Sequence, residues 1–133
     1  MYGWATDITA TCDGRVMILD QRDFSLYIFD VEGHQLGQFN IKSVRNRIAC
    51  HPASDHVVLA GEERGTCRDH VVLAGEERET RRLTLAIYTV KGEFVRRIQL
   101  DEGGFVHGIT VTVEGHIAVA FGNLFDTGKV IVV

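Results

Sequence analysis

Residues 8–39 read ITATCDGRVMILDQRDFSLYIFDVEGHQLGQF, and this stretch decides the fold. Short runs rich in β-branched and aromatic residues are separated by Asp13-Gly14 and Glu32-Gly33, steps that favour tight hairpin turns. We therefore predict four short strands joined as an antiparallel meander. Their expected ranges are 7–11, 15–19, 25–30 and 34–39.

The same pattern returns later in the chain. Residues 109–121, ITVTVEGHIAVAF, restart it, and a degenerate copy lies between Arg47 and Leu100. Self-similarity at this spacing is typical of a repeat architecture, and no helical period is sustained. We predict an all-β fold of repeated four-stranded antiparallel units. The expected units are about 4–40, about 45–100 and an incomplete third at about 105–133.

The middle unit contains a tandem duplication of 14 residues at 55–82. Residues 55–64 and 69–78 are the identical string DHVVLAGEER. Each unit has one place for a second strand, so we expect one HVVLA copy to fill it. The other copy is then a loop or an extra hairpin, which a surface position tolerates.

Composition and charge restrict the class of protein. The chain has 133 residues and 45% hydrophobic content, enough for the core of one domain. Its net charge of −4 does not favour bulk attraction to nucleic acid or to acidic membranes. Cys12, Cys50 and Cys67 are an odd number without paired spacing, which indicates a reducing compartment. We expect a cytoplasmic protein with no membrane segment and no signal peptide.

The first unit resembles an NHL repeat, a blade of a β-propeller. Asp20 matches the acidic residue that ends the second strand, residues 27–29 match the hydrophobic-Val-Phe third strand, and Gly33 matches the glycine opening the fourth. The second and third units depart from the pattern, with Ala60-Gly61 and Phe121-Gly122 where the family has Ala-Asp. Residues 87–95 resemble the type found at the C-terminus of tripartite-motif (TRIM) proteins.

The resemblance implies a fold and a class of function. NHL propellers usually have about six blades, so three units imply a fragment whose open strand edges self-associate. It implies a non-enzymatic module that recruits a protein partner, without a cofactor. An RNA-binding propeller and a lactonase- or lyase-like propeller enzyme are the alternatives. The RING and B-box modules of TRIM proteins are not found in the sequence, so we expect no ligase activity from this chain.

The candidate binding residues lie in the connections that share one face of a propeller. These are the connections from second to third strands and from each unit to the next, including 40–46 and 101–107. Arginines beside aromatic residues there could contact phosphates or a protein partner. The predicted partner-binding residues are Arg22, Lys42, Arg45, Asn46, Arg47, Phe105 and His107.

Two other constellations receive simpler explanations. Cys50 and His51 are adjacent, so a strand would direct them to opposite faces, and we expect no metal site. Five aspartates, Asp7, Asp13, Asp20, Asp23 and Asp30, could be catalytic or cation-binding carboxylates. Asp13 and Asp30 fall in turns, where aspartate commonly bonds its own backbone. We therefore expect no catalytic residues.

Overall fold

A computed structural model describes residues 5–20, 25–41, 47–66, 79–100, 105–122 and 128–133. Every regular element in these ranges is a β-strand, and the strands form three antiparallel sheets. The predicted all-β class is confirmed. Within the same ranges there is no helix long and apolar enough to cross a membrane.

The first sheet is a meander with the strand order β1-β2-β3-β4. Its strands are β1 Ala5–Ala10, β2 Val16–Asp20, β3 Ser25–Phe29 and β4 Gln35–Asn40. The two predicted hairpin turns join β1 to β2 and β3 to β4. In each, a glycine with positive φ follows a side chain that accepts the backbone N–H four residues ahead: Thr11 accepts from Arg15, and Asp30 accepts from His34.

The second sheet has the order β5-β6-β7-β8. Its strands are β5 Arg47–Cys50, β6 His56–Thr66, β7 Glu79–Thr89 and β8 Phe94–Gln99. The first HVVLA copy fills the second-strand position, because residues 57–60 pair with β5. The sequence pattern places the second and third strands of this unit at 56–60 and 83–89, and the expected ends at Ala60 and Leu83 were wrong. The β6–β7 ladder continues to the pair of Thr66 and Glu79, so the end of the second copy extends β7.

The third sheet has three strands in the order β11-β10-β9. They are β9 Phe105–Val111, β10 Ile117–Gly122 and β11 Lys129–Val132. The sequence pattern places the first strand of this unit at 109–113, and the expected start at Ile109 was wrong, since β9 begins at Phe105. A register shift between Ala120 and Phe121 accommodates one extra residue, so that Gly108 and Val106 oppose neighbouring residues of β10.

The second sheet is covered on both faces, because alternate residues of its strands face opposite neighbours. One cluster of buried side chains joins the first and second sheets: Met17, Leu19, Leu26, Ile28, Ile41, Ile48, Cys50, Val57, Leu59, Ala86 and Tyr88. Another joins the second and third: Ala49, Val58, Ala60, Leu83, Leu85, Ile87, Val106, Val111, Ile117, Val119 and Phe121. The core is thus built between sheets rather than within one.

Neighbouring sheets also meet through their first strands. β1 lies against β5, and β5 lies against β9. The three units are therefore placed side by side in chain order, with the first strand of each next to the first strand of the following one.

Candidate recognition surface

Three of the seven predicted binding residues lie in the described part of the chain, and the structure brings them together. Arg47 begins β5, while Phe105 and His107 lie near the start of β9, the adjacent strand. The other four, Arg22, Lys42, Arg45 and Asn46, fall outside the described residues. We use the name loop end for one end of the sheets. It is the end at which β2, β4 and β8 finish and at which β3, β5 and β9 begin.

Arg47 is half-buried, and its Nε donates a hydrogen bond to the backbone carbonyl of His107 at 3.4 Å. The contact spans the junction between the second and third sheets. Part of the Arg47 guanidinium is therefore committed to the protein itself, which sequence reasoning did not anticipate.

Asp7 holds the corresponding position in the first sheet. It directly precedes Ile8, as Arg47 precedes Ile48, and the two isoleucines align when the sequences of the first and second units are compared. Its Oδ2 accepts the backbone N–H of Ile48 at 2.9 Å, and Thr9 Oγ1 accepts that of Cys50 at 3.3 Å. These bonds attach β1 to β5 as Arg47 attaches β5 to β9. The available signal was the alignment of Ile8 with Ile48, which places the preceding polar residues at equivalent junctions.

Phe105 and His107 are strand residues, although they were expected in a connecting segment. Both are exposed, Phe105 by 41%. His107 is the extra residue at the register shift of β9, and its Nε2 lies 3.6 Å from where a Cβ on Gly122 would stand. Bulges re-aim side chains at the rims of sheets. The aromatic ring, the imidazole and the arginine therefore lie around the start of one strand.

Polar residues terminate the strands behind this surface. In the first sheet Asp20, Ser25 and Asn40 occupy one row of the ladder, and Asp20 and Ser25 are completely or almost completely buried. Ser25 Oγ donates to Asn40 Oδ1 at 3.1 Å and accepts from Gln38 Nε2 at 3.2 Å. Thr84 is the buried counterpart of Ser25 in the second sheet. These residues fix the strand ends that carry the loop end.

Asp13 and Asp30, two of the aspartates considered as catalytic, have local partners. Arg15 lies 2.8 Å from Asp13, and its hydrogen bond, together with that of the Thr11 hydroxyl, lowers the pKa of Asp13 to about 2. Asp30 accepts the backbone N–H groups of His34 and Glu32, and the bond from His34 is the main cause of a lowered Asp30 pKa. Both aspartates stabilise hairpin turns at the end of the sheet opposite the loop end.

One group of side chains has the composition of a metal site. Ligand atoms of Asp30, Glu32 and His34 lie within 4.8 Å of one another in the β3–β4 turn. His34 Nδ1 is 3.1 Å from Asp30 and 3.6 Å from Glu32. Glu32 and His34 are exposed, and Asp30 holds the turn by bonds to backbone N–H groups, as threonines do in the equivalent turns. Turn geometry accounts for this cluster.

The cysteine considered as a metal ligand is a core residue. Cys50 is buried between the first and second sheets, and its sulfur is 4.0 Å from that of Met17. Burial raises the pKa of the Cys50 thiol to about 11, so the thiolate that metals bind is disfavoured near neutral pH. The adjacent His51 instead accepts the backbone N–H of Ala53 through Nδ1 at 2.9 Å. Cys67 and His70, which have the spacing of a pair of metal ligands in the sequence, fall outside the described residues.

Comparison with known proteins adds no family to this geometry. No protein-family model matches the chain, and no curated protein is significantly similar to it.

Proposed function

We propose that this chain is part of an NHL-type β-propeller and that its loop end recognises a protein partner. The observation that carries the proposal is the grouping of Arg47, Phe105 and His107 at the start of adjacent first strands. Aromatic and arginine side chains are the residue types enriched at protein interfaces.

The sheet arrangement supports the propeller part of the proposal. Each blade of a propeller is an antiparallel meander, and the blades stand radially with their first strands innermost. Here three antiparallel sheets follow one another, and β5 lies between β1 and β9. Asp7 and Arg47 both connect the first strand of one sheet to that of the next.

A protein partner agrees better with the charge than a nucleic acid does. The chain carries −4 overall, so long-range electrostatics does not steer it towards phosphate backbones. We further propose that the chain acts in the cytoplasm as the recruiting part of a TRIM–NHL-like protein. Catalysis of ubiquitin transfer would belong to a separate RING module.

The test compares substitutions at the two ends of the sheets. A loop-end variant replaces the exposed Phe105 and His107 with Ala, and a control replaces Lys91, Glu93 and Glu114, which lie in hairpin turns at the opposite end. Immobilised wild-type and variant chains are used for quantitative affinity capture from cell extract. Specific partners should be lost with the loop-end variant and kept with the control. Equal capture by both variants would refute the assignment of the loop end.

RNA is the second candidate, favoured by exposed Phe105 and His107 beside an arginine. Splayed bases stack on aromatic, histidine and arginine side chains, and phosphates pair with arginines. Filter binding to a pool of single-stranded RNA over a salt series tests this candidate. Recognition of RNA predicts a steep salt slope that becomes shallower by about two units in an Arg45→Ala/Arg47→Ala variant. A protein-binding surface predicts weak RNA affinity that the substitutions leave unchanged.

A further inference from the structure

The outer face of the third sheet carries exposed apolar side chains. The apolar side chains at the matching positions of the other two sheets are buried. Alignment of the hairpins places Val130 at the register position of Leu26 and Leu85. Leu26 and Leu85 are completely buried, whereas Val130 is 69% exposed. Val132 is 62% exposed at a position that is likewise buried in both other sheets. In the first two sheets, the sheet that follows covers these positions.

The free face of the first sheet shows the complementary difference. Ile8 is 62% exposed, whereas Ile48, its counterpart in the second sheet, is 3% exposed because the first sheet packs on it. Ala10, at the position of buried Cys50, is also exposed. On the β3 part of this face the side chains are already buried, since Tyr27 of β3 is only 2% exposed. The open part is therefore the first strand, through which adjacent sheets meet inside the chain.

These two faces are the two halves of an interface that the chain already makes twice. The first sheet presents one half to the second sheet, and the second presents the same half to the third. The exposed face of the third sheet has the same kind of surface as the face that the first sheet presents to the second. It includes Thr110 at the register position of Thr9, the residue whose hydroxyl accepts a hydrogen bond from the second sheet. Ile8 and Ala10 belong to the half that receives this surface.

We propose that the outer face of the third sheet binds the free face of the first sheet of a second copy of this chain. The contact is head to tail, and the second copy returns it, so a two-fold axis closes the pair. The inference rests on the propeller geometry proposed above. The three sheets of the described residues in one copy and the same three in the other make six, within the four to eight blades of closed propellers.

This interface differs from pairing of exposed strand edges. Edge pairing would join β11 of one copy to β11 of the other and would not involve the first sheet. The head-to-tail contact requires Ile8 and Val130 equally. Each copy contributes one first-sheet face and one third-sheet face, so the dimer has two interfaces. If one copy is altered at its first sheet and the other copy at its third sheet, one of the two interfaces still has both faces intact.

Sedimentation velocity of the 133-residue chain, without any partner, tests the proposal. The expected result is a dimer, with no larger species as concentration rises. Ile8→Lys and Val130→Glu, each made singly at an exposed site, should weaken association at least tenfold. Val31→Lys, an exposed turn substitution, is the control and should leave the dimer unchanged. Thermal melting verifies that each variant is folded.

Mixing the two weakened variants gives the decisive result. Ile8→Lys combined with Val130→Glu should restore a dimer, because one of its two interfaces is undamaged and the other opposes Lys with Glu. A monomeric wild type, open-ended oligomers, or an Ile8→Lys variant that dimerises normally would overturn the proposal. A monomer that still captures its partner through the loop end would leave the recognition proposal standing.

Discussion

The Nε of Arg47 lies 3.4 Å from the carbonyl oxygen of His107 and connects the second sheet to the third. One residue that sequence patterns assign to ligand binding therefore also joins two structural units. Loss of binding after its substitution would combine two effects, and stability must be measured separately from affinity.

Arg47→Ala should lower the free energy of unfolding by about 1 kcal/mol, the usual net contribution of one hydrogen bond. His107→Ala is the matched control, because the acceptor is the backbone carbonyl and remains in place. Urea denaturation of both variants measures the difference. Equal losses would show that the bond is not the source of the effect.

Gly92→Ala should destabilise the protein more than Gly33→Ala. Both glycines have φ near +90°, 89° and 88°, so both substitutions bear a similar backbone cost of about 1–2 kcal/mol. A Cβ on Gly92 would stand 2.9 Å from the Phe39 ring, whereas nothing lies within 4 Å at Gly33. Overpacking adds about 1–3 kcal/mol. Equal melting temperatures for the two variants would contradict the close packing of Phe39 on this turn.

Deletion of residues 69–82 should leave the three sheets intact. The pairs of β6 and β7 up to Gly61 and Thr84 lie within residues that the deletion spares, and a shorter connection closes them at lower entropic cost. Deletion of 55–68 should behave alike, because the second HVVLA copy then occupies the same position. Deletion of 25–38, also 14 residues, removes β3 and should abolish the cooperative melt. Circular dichroism and thermal melting distinguish these outcomes.

Stability should fall below about pH 4, in part through Asp13. Its folded-state pKa, about 2, lies below the ordinary value of 3.8, so its contribution is complete above 3.8 and is lost as pH falls towards 2. Asp13→Asn should make the melting temperature depend less steeply on pH between about 2 and 4. Near neutral pH, the melting temperature of the variant should change with pH as that of the wild type does. Melting temperatures between pH 2 and 7 provide the measurement, and an unaltered acid limb would contradict it.

Local patterns predicted the strands and turns better than they predicted the contacts between units. Turns at Gly14 and Gly33 follow from the residues inside each hairpin, so their positions could be derived. The continuation of β6 to Thr66 depends on pairing across the duplication, which no local pattern reveals. The bonds of Asp7 and Arg47 join residues 41 and 60 positions apart, and such packing between sheets lies beyond a local pattern.

The candidate surface was predictable only where it depends on local sequence patterns. The alignment of units placed Arg47 and Phe105 at the same sheet end, but it assigned Phe105 and His107 to a connection. The register shift that brings them into β9 depends on pairing with β10.

Hydrogen exchange of the chain with and without its captured protein partner tests the central claim most directly. If the loop end is the recognition surface, binding should slow exchange at the amides of residues 40–41, 47–48 and 105–108. The turns at 30–34, 89–93 and 112–116, at the opposite end, should exchange as in the free chain. Protection confined to those turns, with unchanged exchange at 40–41, 47–48 and 105–108, would contradict the assignment of the loop end as the recognition surface.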